Sequence, residues 1–171
     1  IHGKSGVGKT SILQAGLIPI LKEKLIGIFD VVVVLQRVYV NWISELGKIL
    51  ARQLQITKKL AVNSDSLSST EGLFVQLGNN DKLNIMTVII FDQFDKFFFV
   101  NREPRNKLEF SQFLQKCLDI DSVKIVISLR EDYVHYLSEF NLFDNVELIH
   151  NDILSEKNLY HFGNFTPEQA E

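Results

Sequence analysis

The chain has 171 residues, which is enough for one domain with a sizeable hydrophobic core. It carries 18 basic and 21 acidic side chains, so its net charge of −3 does not favour wrapping nucleic acid or coating an anionic membrane. No apolar run approaches the roughly 20 residues of a membrane span. The single cysteine, Cys117, cannot form a disulfide within this sequence and is typical of a core residue in a reducing, cytoplasmic setting.

The first motif stands at the start of the sequence. Ile1 and His2 could end a buried strand, and residues 3–10 fit G-x-x-x-x-G-K-[ST], the pattern of the phosphate-binding P-loop. The glycines of such a loop let successive backbone N–H groups point into one hollow, which favours anions. The helix that follows turns the positive end of its dipole towards the same place. The alternative is a glycine-rich turn that matches the pattern by accident.

The motif gives roles to individual residues. The phosphates are expected to lie against the loop and the first helical turn, formed by Gly3, Lys4, Ser5, Gly6, Val7, Gly8, Lys9, Thr10 and Ser11. The Lys9 ammonium can reach the outer phosphates, which makes it a candidate catalytic group. The Thr10 hydroxyl can hold Mg²⁺. The sequence therefore predicts a site for a nucleotide with a divalent ion.

Strand and helix patterns alternate along the chain, which favours a mostly parallel sheet with helices on both faces. Apolar runs predict strands at 29–35, 85–91 and 123–129, with 159–162 as the last strand. Helices are expected at 8–24 with a disturbance at Pro19, at 41–55, at 104–118 and at 132–140. The capping-box spacing of 68–71 predicts a short helix ending at 77, and the serine-rich stretch 58–69 is expected to be a loop or a weakly ordered link.

A second motif ends the strand expected at 85–91. Asp92 follows four apolar residues, so its carboxylate is expected at the carboxyl edge of the sheet, where open α/β sheets bind ligands. In P-loop enzymes an acid at this place supports the magnesium bound to the outer phosphates, and the alternative is an Asp that caps the next turn. Asp95 could orient or deprotonate the attacking water, or it could be a solvated acid beside Lys96.

A third candidate is Arg130, which ends the strand expected at 123–129. A guanidinium at this edge could contact the γ-phosphate and report whether it is present. A structural ion pair with Asp132 or Glu131 is the alternative. The four histidines show no metal-ligand spacing, which together with the single cysteine argues against a zinc site.

These motifs, in this order, resemble the STAND class of P-loop NTPases. The most similar group is the bacterial novel STAND group, a relative of the NACHT and NB-ARC modules. Residues 6–19 resemble its Walker A motif with an Ala-Gly-Leu-hydrophobic-Pro continuation, and residues 88–96 resemble its Walker B motif, usually Asp-Gln-Phe-Glu-Glu. Residues 129–133 are similar to its sensor strand, and residues 164–170 are similar to the segment that leads into a helical subdomain.

The resemblance implies an α/β fold, namely a three-layer P-loop NTPase core with a mostly parallel sheet. Its strand order would be ASCE- or AAA-like, with the extra strand between the P-loop strand and the Walker B strand. Residues 1–163 are expected to form this core, and residues 164–171 are expected to begin a helical subdomain that is cut off. Because only two residues precede the P-loop and no initiator Met is present, we expect a truncated first strand and a fragment of a larger protein.

The resemblance also implies a function. Members bind ATP or dATP with Mg²⁺, hydrolyse it slowly and act as switches in multidomain signalling and defence proteins, between an effector domain and a repeat sensor. Active forms oligomerise; neither a nucleic acid nor a membrane is an expected partner.

Asp95 and Lys96 stand where the family has two glutamates, so a scaffold that binds ATP with little hydrolysis stays open. A small GTPase fits poorly, because residues 92–95 lack the glycine of Asp-x-x-Gly.

Overall fold

The computed structural model describes residues 1–23, 29–142 and 159–163. In these ranges the strands are β1 (His2–Gly3), β2 (Asp30–Gln36), β3 (Ile85–Phe91), β4 (Val123–Ile127) and β5 (Leu129–Arg130). The α-helices are α1 (Lys9–Ser11), α2 (Ile18–Glu23), α3 (Trp42–Lys58), α4 (Thr70–Lys82), α5 (Asp95–Val100) and α6 (Pro104–Leu118). A π-helical segment (Ile12–Leu17) joins α1 to α2, and 3₁₀ helices cover Ser64–Leu67 and Glu131–Leu142.

The strands pair in parallel. β2 lies beside β3 along its whole length, from Asp30 opposite Ile85 to Gln36 opposite Phe91. β4 lies on the other side of β3, and β1 pairs with β5. Parallel neighbours end at the same edge of a sheet, so the residues that follow β2, β3 and β5 are brought to one edge.

β4 and β5 follow one another across Ser128. The Ser128 N–H donates to Phe91 O at 2.8 Å, whereas the next N–H, that of Leu129, donates to Ile1 O at 3.1 Å. The chain at this point therefore passes from pairing with β3 to pairing with β1. The lateral order is β2, β3, β4–β5 and β1, which confirms the strand order expected for a P-loop NTPase core.

A parallel bridge from His2 to His161 extends the sheet beyond β1. It is supported by backbone hydrogen bonds from His2 N–H to Tyr160 O and from Phe162 N–H to His2 O. The strand predicted at 159–162 is thus present as this single bridge. The expected helical start at 164–171 lies outside the described residues.

The sheet separates two layers of apolar side chains, because alternate residues of a strand point to opposite faces. One layer packs beneath α3, α4 and α6, and it holds Phe97 and Phe98 of α5 and the aromatic residues of α6 together with the buried Cys117. Burial raises the pKa of the Cys117 thiol to about 12, as expected for an inert core cysteine. The other layer lies under the first helical stretch, and its buried residues are Leu13, Val31, Val33, Met86, Val88 and Ile90.

The disturbance predicted at Pro19 lies earlier in the helix. Proline has no N–H to donate, so the regular α-helical ladder is incomplete there. The chain adopts the π-helical segment just before it, where the Ile18 N–H donates to Leu13 O, five residues back. π-helical turns are rare and often lie at functional sites.

Two predictions between residues 58 and 82 need correction. The 58–69 segment is not weakly ordered, because it contains the 3₁₀ helix Ser64–Leu67 and its Leu67 is 2% exposed. The helix after it has Ser69 as its N-cap, one residue after the Ser68 that the 68–71 spacing predicts, with Ser69 Oγ accepting from the Gly72 N–H at 3.2 Å. It continues to Lys82 instead of ending at 77. The buried Asn80 supports this added length, because its side chain donates to Thr87 Oγ1 at 3.0 Å and accepts from Gln76 at 2.9 Å.

Two further elements differ near the carboxyl edge. The helix predicted at 132–140 is a 3₁₀ helix over Glu131–Leu142. α5 was not predicted, since its six residues are too few to show a helical period. Its Phe97 and Phe98 are buried in the aromatic layer, so packing rather than propensity places this helix. None of the helices in the described ranges is long and apolar enough to cross a bilayer.

Candidate functional site

The loop between β1 and α1 has the backbone that its glycines permit. Gly6 and Gly8 have φ values of +80° and +95°, a region that side-chain-bearing residues rarely adopt. Gly8 is also the N-cap residue of α1, so the first helical N–H groups face the loop. Lys4, Ser5 and Gly6 are exposed. The loop is therefore open to a ligand from solvent.

Lys9 folds back over this loop. Its Nζ donates to Gly3 O at 2.8 Å and to Lys4 O at 2.7 Å. Burial lowers the pKa of the Lys9 ammonium, and the negative charges of Asp95 and then Asp92 act in the opposite direction. The structure therefore brings the predicted lysine and both predicted acids into one electrostatic neighbourhood.

Asp92 follows β3 and is fully buried. Its Oδ2 accepts from the Thr10 hydroxyl at 2.9 Å, and its Oδ1 accepts from the Gln93 N–H at 3.0 Å. The backbone is held as well, since the Asp92 N–H donates to Gln36 O at 3.0 Å and the Tyr39 hydroxyl donates to Asp92 O at 2.8 Å. Asp92 thus makes the turn-capping contact through Oδ1 and the contact with the P-loop threonine through Oδ2.

The sequence interpretation missed Arg37. Its Nε and one terminal nitrogen lie 3.0 Å and 2.9 Å from Asp92 Oδ2. With its amide oxygen turned towards Arg37, Gln14 accepts from both terminal nitrogens of the guanidinium at 3.2 Å. A signal was present in the sequence, because Arg37 directly follows the apolar strand β2. It could be used only once β2 was known to lie beside β3.

The donor atoms of Thr10 and Asp92 suit magnesium. Mg²⁺ prefers oxygen ligands and is usually held by one or two carboxylates together with substrate phosphates. One hydroxyl and one carboxylate oxygen 2.9 Å apart, next to an anion-binding loop, match that description. The residues present therefore fit the expected ion.

Asp95 is the first residue of α5 and is half-buried. The chain reaches it through Gln93, which has a φ of +55° although it carries a side chain. Such a conformation is held by its surroundings and is often found at functional sites. Lys96, the other departure from the family pattern, is exposed.

Arg130 lies at the carboxyl edge as predicted but is paired locally. Its guanidinium forms two hydrogen bonds with the Asp132 carboxylate, at 3.0 Å and 2.6 Å, and lies over the Tyr133 ring at 5.4 Å. Both members of the pair are substantially exposed. Arg130 also contributes to the electrostatics of Lys9, whose pKa its positive charge lowers. The structure shows the ion pair that was the alternative, while contact with a phosphate stays a prediction.

Comparison with known proteins agrees with this geometry. The family model described as Novel STAND NTPase 1 matches residues 1–158. Among solved structures, the ORC2 protein of Aeropyrum pernix, in ADPNP–ADP complexes, has a TM-score of 0.63 and 12% sequence identity. The match covers 98% of this chain and 42% of that chain, so this chain spans less than half of that structure. At this identity the likeness shows the fold alone. No curated protein matches at a significant level.

Proposed function

Because this chain belongs to the novel STAND NTPase 1 family and is a nucleotide-binding NTPase module, we propose that it binds ATP with Mg²⁺ and hydrolyses it slowly. The observation that carries the proposal is the hydrogen bond from Thr10 Oγ1 to Asp92 Oδ2 at 2.9 Å. It joins the P-loop to an acid 82 residues away, at the end of a buried strand. A glycine-rich turn that matched by accident would have no reason to face such an acid.

In this proposal the loop 3–8 and the start of α1 hold the phosphates through backbone N–H groups. Lys9 adds a point charge at the outer phosphates by exchanging loop carbonyls for phosphate oxygens. Thr10 and Asp92 hold the magnesium, which when bound neutralises charge that develops on the transferred group. dATP would be accepted by the same contacts, because none of them involves the ribose.

Asp95 is the proposed positioning group for the attacking water. Its half-buried place at the start of α5 and its charge effect on Lys9 support this role. The reversed charge at Lys96 matters less, because Lys96 is exposed to solvent. The shorter side chain of Asp95, relative to the family's glutamate, is the reason to expect slow turnover.

The wider role follows the family resemblance. We infer a regulatory switch in a cytoplasmic multidomain protein of signalling or antiviral defence, with an effector domain and a repeat sensor in the same chain and a homo-oligomer on activation. Arg130 would contact the γ-phosphate and so report whether it is present. Its exposed pair with Asp132 contributes little free energy and can be exchanged for that contact. The core is proposed to span residues 1–163, followed by a helical subdomain from 164.

Nucleotide affinity of a Lys9→Ala variant tests the proposal. Removal of the ammonium should weaken binding of a fluorescent ATP analogue in Mg²⁺ by about 50-fold or more, since charge-assisted hydrogen bonds to phosphate are lost. Lys82→Ala, at the exposed end of α4, is the matched control and should bind as wild type does. Undiminished affinity in Lys9→Ala would refute the assignment of the site.

The second candidate is a scaffold that binds ATP with little hydrolysis, and the aspartate at position 95 favours it. Turnover by the full-length protein separates the two functions. If Asp95→Asn keeps ATP affinity but loses hydrolysis and signalling, the switch is supported. If wild type does not turn over and Asp95→Asn still signals, the scaffold is the better description.

A further inference from the structure

The Asp92 carboxylate has little acceptor capacity left at one of its oxygens. Each carboxylate oxygen offers about two lone pairs. Oδ2 already accepts from Thr10 Oγ1 and from Arg37 Nε, and a second nitrogen of Arg37 lies 2.9 Å from it. Oδ1 faces the Gln93 N–H. A metal that uses Oδ2 must therefore share this oxygen with Arg37 or displace it.

Thr10 and Arg37 differ in how readily they give up this oxygen. A hydroxyl is both donor and acceptor, so Thr10 can turn its hydrogen away and offer a lone pair to a metal. A guanidinium carries a positive charge and offers only donors, so Arg37 cannot share a ligand with a cation without repulsion. Arg37 is thus the residue that opposes metal at Asp92.

Arg37 is nevertheless held in place from two sides. The Asp92 side chain is 1% exposed, and a carboxylate this buried needs a counter-charge. On its other side Arg37 meets Gln14, which belongs to the π-helical segment of the first helical stretch. The Arg37 side chain itself is 33% exposed, which leaves room for it to move.

We propose that Arg37 competes with Mg²⁺ for Asp92 Oδ2 and so sets the metal concentration that the nucleotide site requires. This inference rests on the function proposed above for the same site. Arg37 acts through Asp92 and is a positioning residue. Arg37 stabilises the buried carboxylate of Asp92. It also raises the free Mg²⁺ concentration at which Asp92 can hold the ion.

The test compares wild type with Arg37→Met. The affinity for a fluorescent, non-hydrolysable ATP analogue is measured in excess Mg²⁺ and in EDTA, and the ratio of the two affinities gives the metal dependence. We expect this ratio to rise about tenfold in Arg37→Met, because the competing cation is gone. Thermal unfolding in EDTA should occur at a lower temperature than for wild type, because Asp92 loses its counter-charge.

In Arg37→Met the ratio of affinities should rise while the unfolding temperature falls. A merely structural role would not produce this combination. Loss of a residue that only supports the site would lower both stability and the metal ratio. Arg105→Met is the matched control, since Arg105 is exposed on α6, and its ratio should equal that of wild type. Arg37→Lys keeps the charge but not the two-pronged contact, so its ratio should rise by less than that of Arg37→Met.

Arg37→Lys also covers the case in which Arg37→Met does not fold, because it leaves a cation near Asp92. A ratio that is unchanged or lower in the folded Arg37 variants, with wild type depending strongly on Mg²⁺, would overturn the inference. Wild type that binds the analogue in neither condition would instead refute the proposed function. The two failures are therefore distinguishable.

Discussion

The ends of β3 and β5 carry opposite charges at the same edge of the sheet, and they are built in different ways. Asp92, after β3, is fully buried and contacts residues of the first helix, of the segment after β2 and of its own turn. Arg130, in β5, is exposed and pairs with Asp132 only two residues on. One charge is fixed by tertiary contacts and the other by a local ion pair.

This difference indicates which part of the site can respond to a ligand. A buried carboxylate with several partners is costly to move, because each partner left behind loses its own hydrogen bond. An exposed ion pair contributes little free energy and can be exchanged for a phosphate. The fold therefore fixes the position of Asp92, whereas Arg130 can exchange its partner, as its proposed contact with the γ-phosphate requires.

Replacement of Asp92 or of Asp132 by Asn should change the free energy of unfolding by very different amounts. Asp92→Asn should lower the free energy of unfolding by about 2 to 3 kcal/mol, somewhat less than for a fully buried pair because Arg37 is partly exposed. Asp132→Asn should change it by less than about 0.5 kcal/mol. Urea denaturation measures both. Equal losses in the two variants would contradict the distinction between a fixed and an adaptable charge.

Arg130→Ala tests whether the exposed arginine contacts the γ-phosphate of the ligand. We expect the preference for ATP over ADP to fall about tenfold, because a charge-assisted contact to the γ-phosphate is lost. Competition binding with the two nucleotides measures the preference, and the free energy of unfolding should stay within about 0.5 kcal/mol of wild type. Arg105→Ala serves as control. If both nucleotides bind Arg130→Ala as they bind wild type, Arg130 is only structural.

Tyr39→Phe probes the backbone support of Asp92. The buried hydroxyl donates to Asp92 O at 2.8 Å, and burial raises the pKa of Tyr39, so it remains a donor at neutral pH. We expect a loss of about 1 kcal/mol in the free energy of unfolding, since the ring can keep its edge contacts with Phe94 and Phe97. Tyr160→Phe, with an exposed ring, should have no measurable effect in the same denaturation experiment.

The smallest expected effect concerns the titration of Asp132. The hydrogen bond from Arg130 lowers the pKa of this carboxyl. A carboxyl with a lowered folded-state pKa stabilises the fold above its unfolded pKa of about 3.9, and this contribution is lost as the pH falls through the folded value. Arg130→Ala should raise the pKa of Asp132 towards its ordinary range in an NMR titration. An unmoved pKa would show that the ion pair does not persist in solution.

Strong local patterns predicted most of the fold. The apolar runs of β2 and β3 are recognisable as strands, because strands buried on both faces need no alternation, whereas β4 is only partly buried and carries the exposed Lys124. α6 spans Pro104–Leu118 as predicted, with proline in its first turn. Sequence reasoning missed α5 and the 3₁₀ helix within the 58–69 loop, where the buried Phe97 and Leu67 are held by distant contacts and the local composition is ambiguous.

The residues of the candidate site also divide into those that the local sequence predicted and those that it could not place. The P-loop is a local feature, because Gly6 and Gly8 supply its conformation and Lys9 and Thr10 follow in sequence. These residues could be named from the chain alone. Asp92 could be named as an acid after an apolar strand and given a magnesium role by analogy with P-loop enzymes, but its contacts could not be predicted.

The sequence by itself determined the loop, the strands, the acid after β3 and the arginine at position 130, since each depends on residues close together in the chain. Only the tertiary structure decided the partners of Asp92. Parallel pairing places Gln36 opposite Phe91, so the next residues, Arg37 and Asp92, leave the sheet side by side. That register depends on the packing of both faces of the sheet, which no local stretch of sequence contains.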